Sequence, residues 1–264
     1  MNANKVVLIT GGSDGIGLSA AKIMAGMGHR VYEISRRESS QPGINHLGVD
    51  VTDPGALQGA VAEIIAKEKK LDILICNAGI IASGSLEFTE AEKAKYLFDV
   101  NYFGVLNSLQ AALPYLRASR GSIVFVSSAA AVLPIPFHAH YSASKAAINA
   151  LSLALTNELK PFGVRVRTIM PGDAKTGLTA ARQKSHGGDE IYGGRISRSV
   201  AVMERDEQKG MPAEAVAKVV VKAALSGRKP LMAAGIQYRL FAVIAKFFPA
   251  RFVNRIVGSI YGGK

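Results

Sequence analysis

Tryptophan is missing from the 264 residues, and cysteine occurs once, as Cys76. One thiol cannot build a disulfide framework. With Asp72-Ile-Leu-Ile before it and Asn-Ala-Gly after it, Cys76 reads as a small buried residue at a strand end rather than a nucleophile or metal ligand. No apolar run reaches the ~20 residues of a spanning helix. The best candidate, Leu240 to Val253, is interrupted by Lys246 and Pro249. A secretory leader needs ~15–30 residues, whereas here an apolar strand starts at Val6 and a glycine motif at Thr10, so a cytoplasmic protein is expected. Acidic residues stop at Glu214. Nine Lys and Arg lie beyond it, so of the formal +12 only +3 belongs to the first 214 residues. What is present, 48% hydrophobic and 20% charged residues without a Gly-x-y period, excludes disordered and collagenous chains. No Pro/Ser linker or internal repeat divides the chain.

Short β-branched runs alternate with stretches of helical period, the pattern of a parallel sheet covered on both faces. The runs are Val6 to Ile9, Val31 to Ile34, His46 to Val49, Ile73 to Cys76, Ile123 to Val126, Val164 to Ile169 and a weaker Pro230 to Ala233. Helical stretches run from Ile16 to Met27, Pro54 to Lys67, Ala91 to Leu116 and Tyr141 to Leu159. The expected architecture is one α/β Rossmann-type doubly wound domain over residues 1–234, with a polar, Gly-rich substrate lid at 173–212 and an amphipathic extension at 235–264.

The first run leads into Thr10-Gly11-Gly12-Ser13-Asp14-Gly15-Ile16-Gly17 and then a helix. A pyrophosphate can rest on a helix N-terminus only where backbone N–H groups approach it unblocked by Cβ atoms, which Gly11, Gly15 and Gly17 allow. The spacing is G-x-x-x-G-x-G, a partial match to the general G-x-G-x-x-G fingerprint. The second run ends in Ser35-Arg36-Arg37, without the acidic residue that binds ribose hydroxyls. Two guanidiniums suit a 2′-phosphate, which favours NADP(H). A solvated arginine pair, with Glu33 or Glu38 facing the ribose, is the alternative.

Tyr141 and Lys145 are four residues apart on a helical stretch and so share a face. A neighbouring cation stabilises a phenolate and brings tyrosine towards useful proton transfer. Thirteen residues earlier, Ser127-Ser128 ends a strand at the sheet edge where doubly wound folds bind ligands. Strand alternation lets only one of the pair face that edge.

Thr10-Gly11-x-x-x-Gly15-x-Gly17, Asn77-Ala78-Gly79, Asn101, Ser128, Tyr141-x-x-x-Lys145 and Pro171-Gly172 together resemble the short-chain dehydrogenase/reductase family, from Lys5 to about Pro230. The resemblance implies a seven-stranded parallel sheet, hydride transfer between a nicotinamide and an alcohol/carbonyl pair, and a homodimer or homotetramer. It makes Tyr141 the general acid/base, and Lys145 the residue that lowers its pKa and holds the nicotinamide ribose. Ser128 is then the group that positions the carbonyl, and Asn101 holds a proton-relaying water. It puts the cofactor along Gly11, Ser13, Asp14, Gly15, Ile16 and Gly17, with Asp50 and Val51 at the adenine and Asn77, Ala78 and Gly79 on the adenosine side. Pro171, Gly172 and Thr176 flank the nicotinamide, and Ser35, Arg36 and Arg37 resemble the NADP-preferring branch. Cys76 departs from the family's usual Asn, and Ser127 is expected to serve the scaffold.

His138 and His140 precede the tyrosine without a carboxylate or cysteine cluster to complete a metal site, and are expected to shape the loop. Leu133, Ile135 and Phe137 suggest an apolar substrate wall. In the tail, Leu240, Phe241, Ile244, Phe247 and Phe248 recur at helical spacing. So do Phe252, Val253, Ile256, Val257, Ile260 and Tyr261 beyond Pro249, with Arg239, Lys246, Arg251 and Arg255 on other faces. Such helices pack on their own domain, cover the cleft, join a subunit interface or rest on an anionic membrane. Similar extensions in family members acting on steroids, retinoids and acylated glycerone phosphates make a lipophilic carbonyl the expected substrate, ahead of a sugar or small polar carbonyl. A non-catalytic dinucleotide-sensing or membrane-recruited binding protein is the competing class. Nucleic-acid binding lacks a basic-aromatic motif.

Overall fold

The computed structural model describes residues 4–227 and 229–263, without the side chains of Ile236, Ala242 and Lys246. Arg228, Lys264 and the Lys246 side chain, counted above among the tail cations, lie outside the described residues.

Each expected apolar run forms a strand: β1 (Val6–Thr10), β2 (Arg30–Ser35), β3 (Ile44–Gly48), β4 (Ile73–Cys76), β5 (Ser122–Val126), β6 (Arg165–Pro171) and β7 (Leu231–Ala234). They pair in parallel in the order β3-β2-β1-β4-β5-β6-β7. The order reverses at β1, whose Thr10 is in register with Ile34 on one side and Cys76 on the other. A crevice therefore opens beyond the carboxyl ends of β1 and β4.

Period-2 alternation makes two cores from the same strands. Leu8, Leu74, Ile123 and Phe125 point to one face, with Leu57, Leu109, Leu116 and Ile148. Val7, Ile9, Ile75 and Val124 point to the other, with Met24, Val216 and Val220. Each such fully buried large aliphatic contributes ~1.5–3 kcal/mol relative to exposure.

The first face carries the helices α2 (Pro54–Glu68), α4 (Gly104–Ser119) and α5 (Ala139–Glu158), and the second carries α1 (Gly15–Gly26) and α8 (Ala213–Ser226). The stretch expected as one helix from Ala91 to Leu116 is divided. A five-residue π-helical turn, Asp99–Phe103, separates α3 (Ala91–Phe98) from α4. The wider turn changes which side chains face the sheet, and apolar spacing alone does not announce it.

The polar segment after β6 contains α6 (Gly177–Ala180) and α7 (Arg195–Gln208). Two short parallel pairings pin it down, Gln183–Lys184 on Ala82–Ser83 and Met211–Pro212 on Ala174–Lys175. Past β7, the proline break separates α9 (Ile236–Phe247) from α10 (Ala250–Tyr261). No helix among the described residues is long and apolar enough to cross a membrane.

Candidate active site

The glycine turn is held by the side chains of Thr10 and Asn77. Thr10 Oγ1 accepts from the N–H groups of Asn77 and Ala78, each at 3.1 Å. Asn77 Nδ2 donates to the carbonyls of Thr10 and Gly11 at 3.2 and 2.9 Å. Gly11 and Gly15 have φ of +67° and +55°, and a Cβ on Gly17 would lie 2.2 Å from the Gly11 carbonyl oxygen. Asp14 caps α1 by accepting from Gly15 N. Such a cradle, at the sheet's reversal point and opening on a helix N-terminus, fits a dinucleotide pyrophosphate.

Arg36 and Arg37 follow β2 with side chains 57% and 73% exposed, which leaves their guanidiniums open to a ligand. Arg36 donates to Tyr96 Oη at 2.8 Å and stands 3.8 Å from Asp50; Arg37 stands 3.5 Å from Asp14. Asp50 Oδ1 accepts from Thr52 N and Oγ1, so this carboxylate orders its own turn. Glu33, the alternative ribose ligand, is fully buried and bonded to His46, with Ser35 Oγ donating to it at 3.3 Å. Its side chain lies against Gly12, where a Cβ would come within 2.5 Å of it.

The π-helical turn carries Asn101 inward, fully buried. Its Oδ1 accepts from Ile80 N at 2.8 Å, and its Nδ2 donates to Ile80 O and Ser144 Oγ. Above Gly79, a Cβ would lie 3.1 Å from Asn101 Oδ1 and 3.4 Å from Lys145 Nζ, so the amide and the ammonium converge there.

The β5 end separates the two serines as alternation requires. Ser127 Oγ, buried, donates to Lys145 O at 3.1 Å and holds α5 against the sheet. Ser128 faces the cavity, accepts from Ala130 N at 3.1 Å and is hydrogen-bonded to Tyr141. Burial pushes the Tyr141 phenol up to about 12, and the Ser128 bond works against that rise. Lys145 Nζ donates to Val126 O at 3.1 Å and lies 5.8 Å from the centre of the Tyr141 ring; burial brings its pKa down to about 8. In the protein alone, then, Ser128 opposes the rise, a part expected for Lys145. Cys76, buried with its thiol pushed up to about 12, is inert strand packing.

Tyr141, Ser128 and Lys145 share a cavity of about 500 Å³ with Asn77, Gly79, Pro171, Gly172 and Thr176. Its other walls are mostly apolar, from Leu133 and Ile135 to Phe241, Ile244, Val253, Val257 and Ile260 of α9 and α10, with Asp173, Asp206, Glu207 and Lys209 among them. Phe137 lies outside this lining, its ring edge-on to Tyr192 at 5.7 Å. Tyr238 rests so closely on Gly172 that a Cβ there would fall 1.9 Å from its ring.

Two further neighbours complete the surroundings of Tyr141: His138, expected only to shape the loop, and Arg182, which has no local signal in the sequence. His138, buried, packs its ring 4.5 Å from that of Tyr141. Behind it, Arg182 has a fully buried side chain that donates to Ser83 Oγ at 2.7 Å and to Glu207. The contacts of Arg182 reach 99 positions back to Ser83 and 25 forward to Glu207, which short-range spacing cannot reveal.

The short chain dehydrogenase family model matches residues 5–187, and the chain belongs to that family. It is 40% identical over 210 residues to a 3-ketodihydrosphingosine reductase of Bacteroides thetaiotaomicron, covering 78% of each chain. It is 33% identical over 243 residues to an NADPH-dependent 1-acyldihydroxyacetone phosphate reductase of Saccharomyces cerevisiae, over 86% of this chain and 80% of that one. A solved short chain dehydrogenase of Burkholderia cenocepacia in complex with NADP superposes with a TM-score of 0.80 at 25% identity, covering 96% and 98% of the two chains. The protein is thus an oxidoreductase-family chain whose fold binds a nicotinamide dinucleotide.

Proposed function

We propose that the protein reduces a lipophilic ketone with NADPH. One observation carries the reading: the Ser128–Tyr141–Lys145 group opens into a cavity whose remaining walls are largely apolar tail helices. A nicotinamide dinucleotide lying along the glycine turn would supply the hydride. Ser128 and Tyr141 bind the carbonyl oxygen, and Tyr141 Oη gives it a proton as the alkoxide develops. A phenol held at about 12 is protonated at neutral pH, the form that reduction needs. Lys145 orients the ribose, and Asn101 and Lys145 mark the route by which the tyrosine regains its proton.

Three features support the finer points. The open guanidiniums of Arg36 and Arg37, with Glu33 buried away, favour the 2′-phosphate of NADP. The two relatives named for ketone reduction carry lipid-related names. The tail exposes Leu240, Val243, Phe247 and Phe248 beside cationic Arg239, Arg251 and Arg255, a surface suited to an anionic membrane from which a lipophilic substrate comes.

Cofactor choice is tested with Arg36→Ala. A charge-assisted hydrogen bond is worth ~1.5–3 kcal/mol, so kcat/KM for NADPH should fall about 10- to 100-fold while that for NADH stays near its wild-type value. A wild-type preference for NADH would refute the assignment.

A further inference from the structure

Tyr141 lies in the first turn of α5, and that turn has no side-chain cap. Its N-cap residue is His138, whose imidazole makes no bond to the free N–H groups of the helix start. The ring packs instead on that of Tyr141, 4.5 Å between centres. Just before it, Phe137 has φ of +59°, in the region that favours glycine, and its carbonyl accepts from Gly84 N at 2.8 Å. A helix start of this kind keeps one geometry only where its surroundings impose it.

Those surroundings come from the segment after β6. Gln183 N donates to Ile81 O at 3.0 Å and Ser185 N to Ser83 O at 2.8 Å, so the segment is paired with the very residues that hold His138. His138 Nδ1 lies 2.9 Å from Ala82 O and 3.0 Å from Ser83 Oγ. A carbonyl only accepts, so Nδ1 carries the proton, and the ring cannot turn over without losing that bond. The buried Ser83 Oγ also accepts from Arg182 Nη1 at 2.7 Å. Arg182 in turn is bonded to Glu207 and stands 3.8 Å from Glu204, both on α7, and thereby links α7 to the imidazole against Tyr141. Burial, and after it the charge of Arg182, bring His138 down to about 3, so the ring meets Tyr141 uncharged. A buried ion pair is a poor source of net stability, since desolvation offsets the attraction. The rigid fork of a guanidinium nevertheless fixes direction.

Resting on the reading that Tyr141 delivers a proton to a ketone, we propose that Arg182 is a positioning residue: through Ser83 and His138 it sets the ring of Tyr141, and so couples proton transfer to the seating of the 173–212 segment over the strand ends. Arg182 is not part of the catalytic cavity's lining, so it acts on orientation alone. With the segment seated, His138 backs the Tyr141 ring and the phenol keeps the direction in which it bonds Ser128. With Arg182 released, the imidazole loses its backing and the phenol swings from the carbonyl oxygen. The loss then falls on kcat and not on cofactor binding, because the glycine turn is held separately by Thr10 and Asn77.

The test uses Ser83→Ala and the double variant Arg182→Met with Glu207→Met. Ser83→Ala removes the hydroxyl between Arg182 and His138 and leaves the ion pair intact. The double variant replaces the whole pair by apolar groups, which leaves no lone buried charge and keeps thermal stability near that of the wild type. Both should lose about 10- to 100-fold in kcat with a long-chain ketone, with calorimetric NADPH binding unchanged. Wild-type kcat in Ser83→Ala, or a kcat that simply follows thermal unfolding across the set, overturns the proposal. The cofactor-free chain gives a readout apart from turnover. With isotope-labelled tyrosine rings, the magnetic-resonance signal of Tyr141, identified by its loss in Tyr141→Phe, should shift in both variants; an unshifted signal overturns the proposal. If the signal shifts yet the wild type reduces no ketone, the coupling stands and it is the reductase reading that fails.

Discussion

At the residue scale, the site's chemistry is set by burial more than by charge pairing. Tyr141, Lys145 and His138 are all displaced in the direction that favours the neutral form. For His138 this has a thermodynamic sign. Its folded pKa of about 3 is below the ordinary 6.5, so the unfolded chain binds the extra proton first. The corresponding stability is fully present above the unfolded value and is lost as pH falls from about 6.5 towards about 3. Acid unfolding should therefore steepen by up to one proton, about 1.4 kcal/mol per pH unit. His138→Gln should lose that part of the slope, measured by denaturant unfolding between pH 7 and pH 4. An unchanged slope would show that His138 is not protonated on unfolding in this range.

At the scale of elements, the candidate site depends on departures from regular structure. The glycine turn needs positive φ at Gly11 and Gly15 and a bare Cα at Gly17, because the Gly11 carbonyl occupies the space of a side chain. Gly17→Ala must move backbone, at a cost of ~1–3 kcal/mol; thermal unfolding should fall accordingly, and NADPH binding should weaken. These glycines were legible in the sequence because a phosphate cradle needs them at short spacing. The π-helical turn was not, since the Ala91 to Leu116 stretch keeps helical spacing through it, although Asn101 was found by resemblance. The tail helices were legible from their stripes, but not the sharing of those stripes. Phe241, Ile244 and Val253 close the cavity, while Phe247 and Leu240 remain 80% and 60% exposed. Substituting both exposed residues by Glu should change stability by no more than ~0.5 kcal/mol, yet reduce sedimentation with anionic vesicles. Undiminished sedimentation would place membrane contact elsewhere, and no sedimentation of the wild type would exclude it.

For the whole molecule, the seven strand runs and the helices α1, α2 and α5 could be read beforehand, since each rests on local periodicity, and short motifs singled out Ser128, Tyr141 and Lys145, which the fold brings to one cavity. The polar cluster beside the tyrosine could not. Ser83, His138, Arg182 and Glu207 meet only because the segment after β6 folds back across the ends of the strands, bringing Gln183–Lys184 onto Ala82–Ser83. The charge surplus likewise divides by place: Arg36 and Arg37 follow β2, with Arg37 3.5 Å from Asp14 of the glycine turn, and the described cations beyond Glu214 are not part of the cavity's lining. The account turns on proton delivery by Tyr141 to a ketone in that cavity. The direct measurement is NADPH consumption with a long-chain ketone by wild type and Tyr141→Phe, beside NADPH binding to both. Wild type should turn over, and the variant should lose at least ~10²-fold in kcat while binding NADPH as before. Wild-type turnover in Tyr141→Phe, or no NADPH consumed by the wild type with any lipophilic ketone, would contradict it.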